Sequence, residues 1–451
     1  MTTQTFERAV TLPAPADEAF AWHERPGAFE RLTPPWEPVK VLHSDGHIRD
    51  GAKVVLKLGA LPLRWHALHS GYEAGRRFVD EQVKGPFARW RHSHTVEPAG
   101  AGSRLTDHID YALPLSPVSD WVAGTPVRRK LERMFTWRHR IMTEDLKAHA
   151  AAGLAPMTVA VSGATGLVGS ALSAFLSTGG HTVRPMVRRE AEGGIAWPVA
   201  DHLDPAALAG VDAVVHLAGE TVAQRWSDLA KVRILNSRTV RTRALAEAIA
   251  AMPHKPKVLV CASAVGWYGD TGDGWVEEGA PPADDFLAQV CQAWEAACQP
   301  ARDAGVRVVN LRIGVVLSPN GGALAKLLTP FKLGLGGPVG TGRQYMSWIA
   351  LEDVVGAIHH ALAADTLEGP VNAVAPNPVT NAEFSRTLGK VLGRPAVLPA
   401  PAFALKLAFG EMAQGTILGG QRVRPSRLEA TGYRFRLPEL DGALQALLGR
   451  A

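Results

Sequence analysis

The chain has 451 residues, which is too many for one ordinary hydrophobic core, so we expect two or three domains. Apolar residues make up 46% and charged residues 20%, as in ordinary globular proteins. The net charge of +5 is small for this length, and basic runs interleaved with aromatic residues are missing, so a nucleic-acid partner is not expected. No stretch of about 18 uncharged apolar residues occurs, which predicts no membrane span.

The three cysteines, Cys261, Cys291 and Cys298, contain no CxxC pair. Such an odd and sparse set argues against a disulfide framework and against structural zinc. The N-terminal sequence also lacks the basic-then-apolar run of a signal peptide. Together these features predict a cytoplasmic protein.

Residues 1–150 have the pattern of an α+β domain. "DEAFAWHERPGAFERLTPP" predicts an early helix pair, the alternating segments that follow predict antiparallel strands, and "TPVRRKLERMFTWRHRIMTEDLKAHAA" predicts one long final helix. This layout resembles the helix-grip fold of the START-like polyketide cyclase/dehydrase superfamily. The resemblance implies a cavity between sheet and helix that binds an apolar ligand.

Histidines are frequent in the strands of this first domain, and His66, His69, His92 and His94 stand out. His92 and His94 alternate onto one face of a strand, but the sequence identifies no third ligand. Two histidines on a strand are usually structural. We therefore predict no metal site and expect a ligand cavity instead.

A linker rich in alanine and glycine ends the first domain near residues 148–155. Met157 stands where a shorter protein would begin, which suggests a fusion of two modules. In residues 157–395, short β-rich runs such as "TVAVSG", "AVVHLAG" and "VRVVNLR" alternate with helical stretches. This alternation predicts a Rossmann-type, doubly wound parallel sheet of α/β class, and residues 396–451 predict a small C-terminal domain that forms a substrate lobe.

A glycine-rich loop follows the first strand of the second module. Gly163, Gly166 and Gly169 give GxxGxxG, in which the first glycine permits a tight turn, the second admits a pyrophosphate and the third allows close helix packing. The helix N-terminus favours the anion. A βα turn without a ligand is the alternative, but the strand, the helix and the next βαβ unit are all present. The predicted cofactor-binding residues are Gly163, Ala164, Thr165, Gly166, Leu167, Val168 and Gly169.

The second strand of this module, "HTVRPMV", runs into Arg188 and Arg189, whereas an NAD site usually carries an acidic residue there. An arginine fork can pair with the 2′-phosphate of NADP(H). We therefore predict NADP(H) rather than NAD(H). The alternative is that both arginines are ordinary surface cations.

Later segments resemble one family in combination: "HLAGE" at 216–220, "SAVGWYGD" at 263–270, "GGPVGTGRQYMSWIALEDV" and "GQRVRPSRLEATGYRF". They resemble the atypical extended short-chain dehydrogenases, the YfcH-like NAD-dependent epimerase/dehydratase family with its C-terminal domain of unknown function. The resemblance spans about 158–448 and implies NADP(H) binding with an unassigned substrate. It also places Leu217, Ala218, Gly219 and Glu220 on the cofactor side.

Short-chain dehydrogenases carry Tyr-x-x-x-Lys on one helix as general acid/base. No tyrosine here precedes a lysine at that spacing, and Val290 and Trp294 occupy the matching positions. Four nearby residues are candidate substitutes: Ser263 for bonding a substrate oxygen, Tyr268 as proton donor, and Cys291 or Glu295 as base. Each also has a purely structural interpretation. Ser263 could bond only to the backbone, and Tyr268 could pack under the turn. Cys291 could be a small buried hydrophobic residue, and Glu295 an acid on the helix surface.

Asp353 is expected to cap the helix that starts near Leu351. Two functions remain open for the whole chain. The first is an NADP(H)-dependent oxidoreductase or epimerase with a non-standard acid/base, acting on a small molecule. The second is a non-catalytic dinucleotide sensor with an apolar-ligand-binding N-terminal domain. A homo-oligomer is compatible with either.

Overall fold

The computed structural model describes residues 2–59, 63–114, 118–199 and 201–450, with the backbone alone for 118–122. The chain forms two compact units. One contains the residues up to Leu154, with Ala174–Gly180 and the segment that starts at Ala446, and the other contains Ala155–Ser173 and His181–Gln445. Among the residues described, no helix has the length and apolar character that a bilayer crossing needs.

The first unit is built on an antiparallel sheet with strand order β1-β7-β6-β5-β4-β3-β2. An early helix pair and a long final helix accompany it, which confirms the predicted α+β layout. In the described part of this unit the elements are β1 (Gln4–Leu12), α1 (Ala16–Glu24), α2 (Ala28–Leu32), β2 (Val39–Ser44), β3 (Lys53–Leu58), β4 (Leu63–Glu73), β5 (Arg77–Lys84), β6 (Arg89–Ala99), β7 (Gly102–Ala112) and α3 (Val118–Ala152).

The core of the first unit consists of two apolar clusters separated by polar residues. Along β7, Leu105 belongs to one cluster and Ile109 to the other. Between them the inward position is Asp107, which is 2% exposed. Because side chains alternate along a strand, Asp107 has to point into the interior with its apolar neighbours. The sheet therefore carries charge inside its own core.

The second unit is a parallel sheet with strand order β10-β9-β8-β11-β12-β14-β18. In the first half of the unit, strands alternate with crossover helices along the chain, as the sequence predicted. These elements are β8 (Thr158–Ser162), α4 (Leu167–Thr178), β9 (Thr182–Val187), β10 (Ile195–Ala196), β11 (Ala213–His216), α5 (Asp228–Ala251), β12 (Val258–Ala264), β13 (Trp275–Val276), α6 (Phe286–Ala296), α7 (Gln299–Asp303) and β14 (Arg307–Ile313).

The second half adds the last sheet strand and a series of short elements. The elements are β15 (Val315–Ser318), α8 (Gly322–Lys332), β16 (Tyr345–Met346), β17 (Trp348–Ala350), α9 (Leu351–Ala363), β18 (Gly369–Ala373), β19 (Val379–Thr380), α10 (Asn381–Leu392), α11 (Ala402–Phe409), β20 (Arg422–Val423), α12 (Ser426–Ala430) and α13 (Leu440–Leu447). Strand β20 pairs with β13. The C-terminal segment therefore packs back against the loops that follow the central strands.

The strand order reverses direction between β8 and β11, which lie side by side at the centre of the sheet. Strands β8, β11 and β12 are almost entirely buried. Their apolar, β-branched sequences suit strands that are covered by helices on both faces. In open parallel sheets ligands bind beyond the carboxyl ends of strands at such a reversal, and this edge is where the sequence places its candidate residues.

Candidate active site

The glycine loop connects β8 to α4 at the reversal point. Gly163 has a φ of +71°, which strongly favours glycine, and a Cβ on it would lie 3.0 Å from the Ala218 nitrogen. A Cβ on Gly169 would overlap the carbonyl oxygen of Gly163. Thr165 and Gly166 are exposed at the loop tip. The loop therefore has the backbone geometry and the access that a pyrophosphate on a helix N-terminus requires.

Beneath this loop lies a buried hydrogen-bonded pair that sequence reasoning missed. The Oγ of Ser162 lies 2.6 Å from Nδ1 of His216, and it accepts the backbone N–H groups of Leu217 and Ala218 at 3.1 and 3.3 Å. Burial, together with the charge of Arg241, lowers the pKa of His216 to about 3. The imidazole is thus neutral, and the pair fixes the segment after β11 beside the loop.

The rest of that segment is held by the following helix. The N–H of Glu220 donates to Ser237 Oγ at 3.0 Å. A Cβ on Gly219 would lie 3.1 Å from the guanidinium carbon of Arg238. The predicted residues 217–220 therefore stand next to the glycine loop, at the same edge of the sheet.

Arg188 and Arg189 follow β9 directly and are exposed. A third arginine, Arg241 of α5, lies with its guanidinium carbon 4.9 Å from the ring centre of Trp197. Burial lowers the pKa of Arg241, and the charge of Arg188 adds to this effect, so the two cations face the same region. Sequence reasoning missed Arg241 because only the packing of α5 on the sheet brings it here.

Three of the four candidate catalytic residues meet around Arg312, which is 2% exposed. Ser263 Oγ at the end of β12 donates to Glu295 Oε1 at 2.7 Å. Arg312 binds both oxygens of that carboxylate, with Nε 2.8 Å from Oε1 and Nη2 3.0 Å from Oε2. This group, with Tyr268, is the arginine cluster: Ser263, Tyr268, Glu295 and Arg312.

Tyr268 joins the cluster from the short 3₁₀ turn Val265–Tyr268. Its hydroxyl donates to Asn372 Oδ1 at 2.7 Å and accepts from Arg312 Nη1 at 3.0 Å. Burial raises the pKa of this phenol. Tyr268 is therefore a protonated, doubly hydrogen-bonded side chain in this structure.

Cys291 lies beside the cluster, with Sγ 3.6 Å from the carbonyl oxygen of Ala264. Burial, together with the nearby charge of Glu295, raises the pKa of this thiol to about 11. The thiol is therefore protonated at neutral pH, and its surroundings suit a small buried side chain better than a base.

Helix α6 holds the two residues that replace the usual Tyr and Lys. Its N-terminus is capped by Asp285, whose side chain accepts the N–H of Ala288 at 2.9 Å. Val290 and Trp294 are both buried, and Trp294 belongs to the apolar core of the sheet. Neither side chain can transfer a proton, so α6 contributes Glu295 alone to proton chemistry.

The expectation that Asp353 caps a helix is wrong, although α9 does start at Leu351. The side chain of Asp353 instead accepts the backbone N–H groups of Arg436 and Leu437, at 2.7 and 3.0 Å, and the hydroxyl of Tyr433 at 3.0 Å. Asp353 thus anchors the C-terminal segment, a long-range contact that local sequence does not reveal.

A parallel sheet with a glycine loop at its reversal point defines a Rossmann-type protein of the kind that binds dinucleotides. Family models agree with this class. The model described as "NAD dependent epimerase/dehydratase family" matches residues 159–373, and that of a domain of unknown function matches 400–447. The model described as "Polyketide cyclase / dehydrase and lipid transport" matches residues 12–139, as the sequence resemblance implied.

Individual relatives agree as well. The "Epimerase family protein Mb2239" of Mycobacterium bovis is 46% identical over 295 residues, which cover 64% of this chain and 97% of that protein. The "Epimerase family protein SDR39U1" of Homo sapiens is 40% identical over 296 residues, which cover 65% of this chain and 100% of that protein. The chain belongs to the NAD-dependent epimerase/dehydratase family.

Solved structures extend the likeness to the whole chain. The crystal structure of the nucleoside-diphosphate sugar epimerase from Corynebacterium glutamicum is 35% identical, has a TM-score of 0.82, and covers 98% of this chain and 90% of its own. The human SDR39U1 structure, solved with NADPH, is 39% identical with a TM-score of 0.61 and covers 65% of this chain and 99% of its own.

Proposed function

We propose that this protein is an NADP(H)-dependent epimerase or oxidoreductase that acts on a nucleoside-diphosphate sugar through a Ser263–Glu295 proton relay. The observation that carries the proposal is the 2.7 Å hydrogen bond from Ser263 to Glu295 at the ligand edge of the sheet. The printed name of the Corynebacterium neighbour supports the substrate class. The NADPH in the human relative supports the cofactor.

The chain's own residues fit this cofactor. The loop from Gly163 to Gly169 would hold the pyrophosphate, because its backbone turns tightly and α4 offers free N–H groups there. Arg188, with Arg189 and Arg241 near it, would hold the 2′-phosphate that distinguishes NADP(H) from NAD(H). When bound, NADP(H) supplies or accepts a hydride.

The relay moves one proton at each end. The hydrogen of Ser263 points at Glu295, so the lone pairs of its oxygen are available to a substrate hydroxyl. As the substrate hydroxyl loses its proton to Ser263 Oγ, Ser263 passes its own proton to Glu295 Oε1. Arg312 binds both Glu295 oxygens and so holds the carboxylate in position beside Ser263. The same path in reverse returns a proton.

The cofactor half of the proposal is tested on the full chain by measuring the affinities for NADPH and NADH by fluorescence titration. Arg188→Ala should weaken NADPH at least about tenfold more than NADH, because only NADPH carries the phosphate that a guanidinium fork binds. Arg243→Ala is the matched control, since Arg243 lies on α5 near Arg241 but is 54% exposed and pairs with Glu247. An equal loss of both affinities would refute the choice of NADP(H).

The catalytic half is tested by turnover of a panel of nucleoside-diphosphate sugars. Glu295→Gln and Ser263→Ala should each lower kcat by about 10²-fold, as loss of a general base does, while NADPH affinity stays within about twofold. Ser263→Thr keeps the hydroxyl and should restore most of the rate. Unchanged kcat in Glu295→Gln would eliminate the relay.

A non-catalytic sensor is the second candidate, and one observation favours it. Each polar group of the arginine cluster already has a partner inside the protein, and both Glu295 oxygens are bound to Arg312. Tight NADPH binding without turnover of any panel member would support the sensor. The cytoplasmic location, an apolar ligand of the N-terminal domain and a homo-oligomer stay proposals from the sequence.

A further inference from the structure

The interior of the first unit holds a group of acidic and histidine side chains that neither proposed function uses. We define the histidine cluster as Asp80, His92, His94, Asp107 and His139. The strand register brings these residues together, because Asp80 on β5 is directly opposite His92 on β6, and Asp107 on β7 is directly opposite His94. His139 reaches the group from α3. The sequence identified no third neighbour for His92 and His94, and the sheet places Asp80 beside both of them.

Three of these residues converge on one point. Oδ2 of Asp80 lies 3.0 Å from His92 Nδ1 and 3.4 Å from His94 Nε2. One ligand atom from each of the three residues lies within 4.8 Å of the others. Atoms that bind the same ion at about 2.0–2.2 Å are about 3–3.6 Å apart, and the two distances from Asp80 Oδ2 fall within this range.

Asp107 lies on the other side of the two imidazole rings and orients them. Its Oδ1 is 3.0 Å from His92 Nε2 and 2.7 Å from His94 Nδ1, and its Oδ2 is 2.6 Å from His139 Nε2. Histidines that bind metals commonly direct their other nitrogen at a carboxylate in this way, which fixes the ring orientation and raises the basicity of the ligand.

One contact is unusual for a simple hydrogen-bonded network. Despite its short distance to Asp107, the buried Nδ1 of His94 has no partner with hydrogen-bond geometry among the described residues. Its ring lies 3.8 Å from that of His92. The His94 ring therefore lies beside Asp107 without a well-aligned hydrogen bond at Nδ1.

Other ionisable side chains surround the cluster. Groups facing the cluster from other positions are His23 of α1, His69 of β4 and Arg138 of α3. Burial lowers the pKa of His23 to about 3, which leaves it without charge.

We propose that Asp80, His92 and His94 bind one divalent first-row transition-metal ion, with Asp107 as the residue that positions both histidines. Two imidazoles and one carboxylate are the donor set for such ions, whereas Mg²⁺ and Ca²⁺ prefer all-oxygen sites. The side chain of Asp80 is 22% exposed and those of His92 and His94 are 3% and 6% exposed. The ion therefore enters past Asp80, and remaining coordination positions face that side.

The test uses the full chain, freed of metal with a chelator and titrated with Co²⁺ alone while its visible absorption is recorded. We expect one Co²⁺ per chain, displaced by Zn²⁺. Asp80→Asn and His92→Ala should each weaken Co²⁺ at least about 100-fold, and Asp107→Asn about 10–100-fold because it acts through the two rings. Failure of the chain to bind Co²⁺ would overturn the proposal. The cluster would then be a network of hydrogen bonds without a metal ion.

The matched control is His108→Ala, which removes a histidine of the same sheet that lies between two carboxylates. His108 Nδ1 is 3.0 Å from Glu7 and its Nε2 is 3.3 Å from Asp110, but the ring is 38% exposed. Co²⁺ binding should not change in this variant, and binding that depends on His108 rather than on His92 contradicts the assignment. If a variant fails to fold, X-ray absorption of the wild-type Co²⁺ protein counts the imidazole ligands directly. A Co²⁺ ion with fewer than two imidazole ligands would also overturn the proposal.

Discussion

Each of the two units buries a group of ionisable side chains, and the two groups balance their charges by different means. In the arginine cluster the cation is a guanidinium, which stays charged at every accessible pH and binds Glu295 through two hydrogen bonds. In the histidine cluster the carboxylates of Asp80 and Asp107 face imidazoles, which titrate and bind metals. The arginine cluster therefore fixes a carboxylate in place, whereas the imidazoles of the histidine cluster are able to bind a metal ion in place of protons.

The difference predicts that the two modules bind separate ligands. Removal of the first module should therefore have the largest effect on ligand binding. Residues 157–451 expressed alone should fold and bind NADPH with unchanged affinity, while Co²⁺ binding is abolished. The Mycobacterium relative supports this expectation, because 97% of its length matches only 64% of this chain. Titration of the shortened chain with each ligand is the measurement. An insoluble product, or loss of NADPH binding, would show that the modules depend on one another.

The arginine cluster should be the more sensitive of the two to loss of its cation. Arg312→Ala leaves Glu295 as a buried carboxylate without its ion-pair partner, which costs about 3–5 kcal/mol in the free energy of unfolding. Urea unfolding at pH 7 measures this loss. Arg243→Ala, which breaks the exposed pair with Glu247, should cost less than about 1 kcal/mol. Similar losses in both variants would mean that Arg312 is not the cation that balances Glu295.

The histidine cluster should lose less when one carboxylate charge is removed, because an asparagine side chain still has an oxygen that accepts a hydrogen bond. In metal-free protein, Asp107→Asn should cost about 1–3 kcal/mol, since His92 and His139 lose a charged hydrogen-bond acceptor. The control is Asp110→Asn on the same strand, whose side chain is 28% exposed and whose effect should be small. Equal effects at the two positions would contradict the buried role of Asp107.

The last effect concerns pH, because both units contain a neutral buried histidine. The pKa values of His23 and His216 are lowered from 6.5 to about 3 by burial. Between these values the unfolded chain binds protons that the folded chain does not, so stability falls as the pH falls. Each histidine contributes up to about 1.4 kcal/mol per pH unit. His216→Asn should flatten the dependence of the unfolding free energy between pH 7 and 4.5, and an unchanged slope would contradict a neutral His216.

The comparison also shows which parts of the two sites can be inferred from sequence. The glycine loop and the arginines after β9 are local features, because a strand, a turn and a helix N-terminus follow one another along the chain. Ser263 and Glu295 were inferred as separate candidates by position in a family pattern. Their partner Arg312 was not inferred, since it lies on β14 and only the sheet order places β14 beside β12.

Local sequence is sufficient to predict the two-module organisation, the Rossmann class and the missing Tyr–Lys pair, because periodicity, glycine spacing and residue identity are properties of neighbouring positions. The surroundings of each ionisable group depend instead on how strands and helices pack together. Asp80 meets His92 through the pairing of β5 with β6, and Asp107 meets His139 through the packing of α3 on the sheet. Such contacts join residues far apart in the chain, and pKa and ligand chemistry depend on these contacts rather than on local sequence.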